Sequence, residues 1–229
     1  MSCHVLLAAT GSVATVKTPQ IAVLLRERGY DVRVILSRAA EHFWELAPSY
    51  NADEWERFAA LEPPVQIYRD SDEWNDYKSV KGDPVLHIEL RKWAHVLCIA
   101  PLSANTLAKF AGGLCDNLVV RLIVTCNGEE ATLPLVHLRR GVILNWALQT
   151  CVGRAWDMSR PVIGAPAMNT HMWNHPFTER HLRVFRDELG YRIVEPASGS
   201  LACGDTGKGL LPPPAVIVEA IENALASFE

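Results

Sequence analysis

Asn169 lies in the segment Pro166-Ala167-Met168-Asn169-Thr170-His171-Met172-Trp173, directly after the apolar run Pro161-Val162-Ile163-Gly164-Ala165. Short apolar runs bounded by Gly and Pro read as buried strands of an α/β sheet. The amide therefore stands just past a strand's carboxyl end, where open α/β sheets bind ligands. It offers an acceptor and two donors in one plane, which suits a carboxylate or a flat heteroaromatic ring. An ordinary Asx-turn is the competing reading. A second candidate is the turn Thr10-Gly11-Ser12-Val13-Ala14, whose backbone N–H groups can cradle a phosphate at a helix start. With one Gly it is not the G-x-G-x-x-G fingerprint, so NAD is disfavoured, and a plain βα turn remains open. Ser103, with Asn105 and Thr106 in the following turn, makes a third such place. There Ser103 is an N-cap candidate, and two ordinary capped helices are the alternative.

Other reactive side chains are less specific. His87 and Cys203 carry no role by themselves, since a lone His is usually a satisfied structural one and a loop thiol is as often inert as reactive. His171 and His175 are four apart but lack the HExxH glutamate, and Pro176 follows, so no zinc site is expected. Gly204 to Lys208 is not a P-loop, because Ala202 stands where Gly is required and Gly209 where Ser or Thr is required. Trp74 and Trp93 read as packing residues.

The elements that position these groups follow an alternating order. His4 to Ala9 is a strand, a helix runs around Pro19 to Arg28 and ends at Gly29, and Asp31 to Leu36 is the second strand. Ser37 precedes a helix over Ala39 to Trp44. Val65 to Tyr68 is a short strand, and the acidic Asp70 to Lys78 is a surface loop. His87 to Trp93 is a helix supported by Glu89–Lys92 and Leu90–Trp93 neighbours, and Val96 to Ala100 is a buried strand. The helix opened by Ser103 carries Leu107 to Phe110 and stops at Gly112-Gly113. Thr178 to Leu189 is an amphipathic helix capped by Thr178 and ended by Gly190. Tyr191 to Val194 is a last strand, Leu201 to Leu211 a flexible Gly-rich loop, and Pro214 to Phe228 a closing helix. This β-α-β-α order predicts an α/β fold: one doubly wound, Rossmann-like, flavodoxin-type parallel sheet with helices on both faces.

The bulk composition agrees with one domain over residues 1–229. At 229 residues and 49% apolar content the chain can bury a full core. The net charge of −4, without a basic stripe, gives no footprint for nucleic acid. No apolar run has the length of a membrane span, and the start of the chain has no signal-peptide pattern, so neither membrane nor export is expected. Six cysteines without CxxC pairing suit a reducing, cytoplasmic setting.

Four motifs together resemble one family. Pro166 to Trp173 is similar to the PxMNxxMW motif of the flavin-dependent cysteine decarboxylases. Gly82 to Ala94 (GDPVLHIELRKWA), Ala100 to Leu118 (APLSANTLAKFAGGLCDNL) and Leu201 to Gly209 (LACGDTGKG) resemble segments of the phosphopantothenoylcysteine decarboxylases, plant-type halotolerance flavoproteins included. The resemblance implies FMN as cofactor, held by Gly11, Ser12, Val13, Ser37, Phe43, Ser103, Asn105, Thr106, Ala167 and Met168. It implies that His87 serves the oxidative decarboxylation, that Asn169 with Met172 binds the substrate's cysteine carboxylate, and that Cys203 serves the final reductive step. It also implies a homotrimer with FMN near the subunit interface, acting on 4′-phosphopantothenoylcysteine in coenzyme A biosynthesis. A plain carboxylate of this kind cannot lose CO2 without an electron sink, which flavin provides and side chains do not. The implied path oxidises CH2–SH to a thioaldehyde, loses CO2, and reduces the enethiol to 4′-phosphopantetheine.

Two departures and the rivals complete the picture. Cys115-Asp116-Asn117-Leu118 and Thr150-Cys151-Val152-Gly153-Arg154-Ala155-Trp156-Asp157 are almost adjacent in the family, yet residues 119–149 separate them here. A translated intron and a surface excursion are the two readings of this insertion, the latter cheap in closure entropy. Leu210-Leu211-Pro212 also replaces the family's common Ala-Met-Ala. A regulatory, inhibitory subunit of a Ser/Thr protein phosphatase is the alternative function, disfavoured because the long acidic tail of such fungal relatives is missing. A peptide cysteine decarboxylase is disfavoured by Cys203, and a flavin prenyltransferase by His87 and the Asn169 segment.

Overall fold

The computed structural model describes residues 3–78, 83–120, 159–201 and 204–227. Cys203, most of the 119–149 insertion and the Thr150 to Asp157 segment lie outside the described residues.

The chain builds a six-stranded sheet whose central strands are apolar runs, while the edge strands QIYR and RI are partly polar. The strands are β1 (His4–Ala9), β2 (Asp31–Leu36), β3 (Gln66–Arg69), β4 (Val96–Leu102), β5 (Val162–Pro166) and the short β6 (Arg192–Ile193). All neighbours pair in parallel, in the order β3-β2-β1-β4-β5-β6. This is a doubly wound order that reverses between β1 and β4, and the crevice beside that reversal is where such sheets bind ligands.

Both faces are covered, which explains why the central strands are continuously apolar instead of alternating. Val5, Leu7 and Ala9 of β1 point to one face, under α1 (Thr18–Glu27), α2 (Arg38–Trp44), α4 (Ala52–Ala59) and α9 (Pro214–Ala226). Leu6 and Ala8 point to the other, under α5 (Leu86–Trp93), α6 (Ala104–Gly112) and the α8 region (Pro176–Arg183) with Phe185 and Tyr191. The short α3 (Ala47–Tyr50) links α2 to α4, and α7 (Thr170–Trp173) follows β5. Arg160 fixes the far end of α5. Its guanidinium donates to the carbonyls of Arg91 (2.9 Å), Lys92 (3.3 Å) and Ala94 (2.5 Å), satisfying oxygens that the last helical turn leaves open.

Four expectations are corrected. The Gly-rich stretch Leu201 to Leu211 contains a strand, Thr206–Leu210. β8 (Thr206–Leu210) pairs antiparallel with β7 (Ala197–Ser200) as a hairpin outside the main sheet. Thr178 does not cap α8: Pro176 starts the helix at its first position, so the cap falls on His175, whose Nδ1 accepts from Phe177 N at 3.2 Å. Thr178 instead donates its hydroxyl to the Met172 carbonyl at 2.5 Å. The Asp70 to Lys78 stretch holds a 3-10 turn, Asp70–Trp74, with Glu73 buried inside it. Trp74 on that turn is 54% exposed, with its ring edge-on to Tyr77, so it is not a core residue. Trp93 does pack, stacked on His4 with a 4.6 Å centroid separation and covered by Arg33.

Candidate active site

Three βα turns meet at the carboxyl edge of β1, β2 and β4, and one buried hydroxyl laces two of them together. Thr10, fully buried after β1, donates its Oγ1 to the Pro101 carbonyl and accepts from Ser103 N, both at 2.8 Å. The Gly11-Ser12 turn and the Ser103 turn are thereby held side by side. Sequence reasoning missed Thr10; its signal was a polar residue closing an apolar strand just ahead of the glycine.

Each turn ends in a serine cap. Ser12 accepts from Ala14 N (3.4 Å), Ser37 from Ala40 N (3.3 Å) and Ser103 from Thr106 N (3.3 Å). Caps of this kind satisfy orphan amides and aim helix starts, with their partial positive charge, at one place. Gly11 is needed for close approach: a Cβ there would come within 2.7 Å of the Ala39 Cβ, so the first turn can rest on the start of α2 only without a side chain. Asp70 closes the far side by accepting from Arg38 N (3.0 Å) and Leu118 N (2.9 Å).

The result is a cleft of about 550 Å³, walled by Gly11, Ser37, Arg38, Ala39, Asp70, Ser103, Asn105, Thr106, Lys109, Asp116 and Asn117. Its hydroxyls, amides and two cations, with Lys109 paired to Asp116 at 2.6 Å, form a donor set suited to a phosphorylated, polar-edged cofactor. Gly11, Ser37, Ser103, Asn105 and Thr106 are thus brought together as expected. Ser12, Val13, Phe43, Ala167 and Met168 are not among the cleft's walls, and Val13 is exposed.

Asn169 stands next to this cleft. The register pairs Leu102 with Pro166, and Ala167 N donates to the Leu102 carbonyl at 3.1 Å, so the end of β5 adjoins the Ser103 turn. Asn169 caps α7: its Oδ1 accepts from His171 N at 2.7 Å, which turns Nδ2 outward. Nδ2 donates to the Asp205 carboxylate at 2.8 Å. The Asx-turn and a carboxylate-gripping amide therefore coexist in one residue. The hairpin lies over this segment, with Met168 N donating to the Gly209 carbonyl at 3.0 Å and Lys208 facing the Trp173 ring.

His87, 9% exposed, is in the first turn of α5. Its Nδ1 meets Glu73 Oε1 at 2.5 Å, which ties it to the turn after β3. Glu73 falls in the stretch that reads from sequence as an acidic surface loop, and nothing in the local sequence distinguishes it from its neighbours. Met172 is exposed and lines a separate, apolar groove of about 360 Å³ with Ala104, Ala108, His171, His175, Phe177, Thr178 and His181. Burial, then the charge of Arg180, holds the His181 imidazole below its ordinary pKa.

Comparison with known proteins agrees with this geometry. The family model described as Flavoprotein matches residues 1–138 and 144–226. A probable phosphopantothenoylcysteine decarboxylase of Arabidopsis thaliana is 43% identical over 218 residues, covering 95% of this chain and 86% of that protein. A solved phosphopantothenoylcysteine decarboxylase mutant, complexed with pantothenoylaminoethenethiol, superposes with a TM-score of 0.74 at 40% identity, covering 97% of this chain and 98% of that one. The FMN-binding protein AtHal3 superposes with a TM-score of 0.72 at 40% identity, covering 99% and 98%. With a doubly wound sheet and this likeness over nearly its whole length, the chain belongs to the flavoprotein family that includes the phosphopantothenoylcysteine decarboxylases.

Proposed function

We propose that this protein is an FMN-dependent carboxy-lyase that converts 4′-phosphopantothenoylcysteine to 4′-phosphopantetheine in coenzyme A biosynthesis. The observation that carries the reading is the single cleft in which the Gly11, Ser37 and Ser103 turns converge, with the outward amide of Asn169 beside it. Gly11, Ser37, Ser103, Asn105 and Thr106 hold the FMN, with Ser12, Val13, Phe43, Ala167 and Met168 completing its surroundings. Bound FMN supplies the two-electron sink that the substrate's CH2–SH group needs before its carboxylate can leave, and returns the electrons afterwards.

The chain's own residues bind, orient and move protons. Asn169 Nδ2 already donates to a carboxylate, that of Asp205, and grips the substrate's carboxylate in the same way, with Met172 close by. His87 Nε2 accepts a proton in the oxidative half. Cys203 returns one to carbon in the reductive half.

The working unit is a homotrimer in the cytoplasm. His87 is tied to the turn after β3, whereas Asn169 follows β5, four strand steps away, or roughly 19 Å at 4.8 Å per step. One small carboxylate is reached by both only if two copies contribute, which supports an interface at the cleft. The exposed Met172 and Phe177 of the apolar groove support the same contact. The buried thiol of Cys98 suits a reducing compartment.

The test is incubation of the purified protein with 4′-phosphopantothenoylcysteine, with product mass, bound flavin and light-scattering mass recorded together. A product lighter by CO2, one FMN per chain and a trimeric mass are expected. Bound flavin with no loss of CO2 overturns the activity, and a monomer that turns over at full rate overturns the shared site.

A further inference from the structure

Within an exposed acidic stretch, one carboxylate is turned inward. Asp70, Ser71, Asp72, Asn75 and Asp76 around it keep solvent contact, while Glu73 is 1% exposed. Burying a carboxylate is expensive unless it is paired and hydrogen-bonded, and an apolar residue of this size would fill the space at lower cost. Its Oε1 meets His87 Nδ1 at 2.5 Å, and its Oε2 is buried with no partner among the described residues. The whole polar demand of Glu73 therefore falls on one imidazole nitrogen.

We infer that Glu73 is a positioning residue for His87: it takes the Nδ1 hydrogen, fixes the ring, and leaves the Nε2 lone pair as the proton acceptor. In this arrangement Nδ1 is the donor, since an ionised carboxylate only accepts hydrogen bonds. The partner of one ring nitrogen sets the tautomer of the other. A neutral imidazole in water does not hold the Nδ1–H form by itself, so the carboxylate supplies a constraint that the helix cannot.

The turn that bears Glu73 is rigid enough for this. Asp72 accepts from Arg69 N at 2.8 Å, and Asp70 is bonded to Arg38 N and Leu118 N. Asp70 is also a wall of the cofactor cleft, so one 3-10 turn sets both the cleft and the histidine. This rests on the reading of His87 as the proton acceptor of the decarboxylation.

The experiment compares wild-type protein and Glu73→Gln, both loaded with FMN, by 15N histidine NMR and by steady-state kinetics. Gln is isosteric but presents an amide NH2 able to donate to Nδ1, which favours the Nε2–H form. In the wild type an Nδ1–H tautomer is expected for His87. In the variant an Nε2–H tautomer is expected, with kcat lower by about 10²-fold, the contribution of a positioned acid–base group. KM stays within threefold and flavin content is unchanged, because Glu73 touches neither. A wild-type Nε2–H tautomer, or a variant whose tautomer and kcat match the wild type, overturns the inference. A wild-type protein that shows Nδ1–H yet turns over no substrate leaves the dyad standing and overturns the decarboxylase reading instead.

Discussion

The two walls of the site are built on different principles. The side proposed for the cofactor consists of strand ends and helix caps within the main sheet, where Thr10, Ser37 and Ser103 are buried and bonded to backbone a residue or two from an apolar strand. The side proposed for the substrate consists of a loop, a one-turn helix and a two-stranded hairpin, joined through Asn169–Asp205 and Met168–Gly209. The first wall cannot move without breaking the fold. The second can lose its geometry while the sheet stays intact. Damage on one side should therefore be read in melting temperature, and on the other in turnover.

The largest expected effect is on the substrate side. Gly209 has φ 143°, a conformation side chains rarely adopt, and a Cβ there would run into the Met168 carbonyl oxygen. Gly209→Ala should push the hairpin off the Asn169 segment and lower kcat/KM at least about 100-fold, as misplacement by ~1 Å does. Its melting temperature should stay within a few degrees of wild type; a large fall in melting, measured by scanning calorimetry, would erase the contrast between the walls.

Next comes Thr10→Val, which keeps shape but strips Ser103 N of its acceptor. A buried donor left unpaired costs about 2 kcal/mol, or ~4–8 °C in melting for a chain of this size. Unchanged calorimetry would show that the lacing of β1 to β4 is dispensable. Ser103→Ala is milder, at about 1 kcal/mol for a lost cap, with FMN affinity, measured by fluorescence titration, weaker by about threefold to tenfold. A variant that binds FMN as tightly as wild type would remove Ser103 from the cofactor wall.

The smallest effect is a null result with information in it. Burial in β4 pushes the Cys98 thiol up to about 12, so almost none is thiolate at neutral pH. Iodoacetamide followed by peptide mass spectrometry should leave Cys98 unlabelled in the native protein and label it in denaturant. Labelling under native conditions would mean that the sheet side opens as readily as the hairpin.

The same division decides what the sequence could disclose. Strand ends, Ser caps and the Gly11 turn are encoded within a few residues, so β1, β2, β4 and the Ser37 and Ser103 caps are legible from local pattern. Asn169 was legible because an apolar run ending in Pro leads straight to it. Glu73 was not, because its burial depends on His87, fourteen positions away, and every neighbour is a surface residue. The hairpin was misread for a related reason. Gly-rich sequence signals freedom of φ, but β7 and β8 are stabilised by pairing with each other and by Met168, none of which is local. Thr178 lost its capping role to His175 because Pro176 takes the first helical position and so places the cap on the residue just before it.

Arg160 gives the molecule a fixed docking point for its second half. Its three bonds to the end of α5 set where the chain enters β5, two residues before Val162, whatever the number of residues between Val120 and Ser159. The guanidinium thereby adds a side-chain anchor to the register that the β4–β5 ladder sets from Val162 onward. Pro166, and with it Asn169, lies six residues past this contact, on a strand already held by its neighbour β4. The position of Asn169 on the sheet edge is thus measured from Arg160, as a tape is read from a clamp.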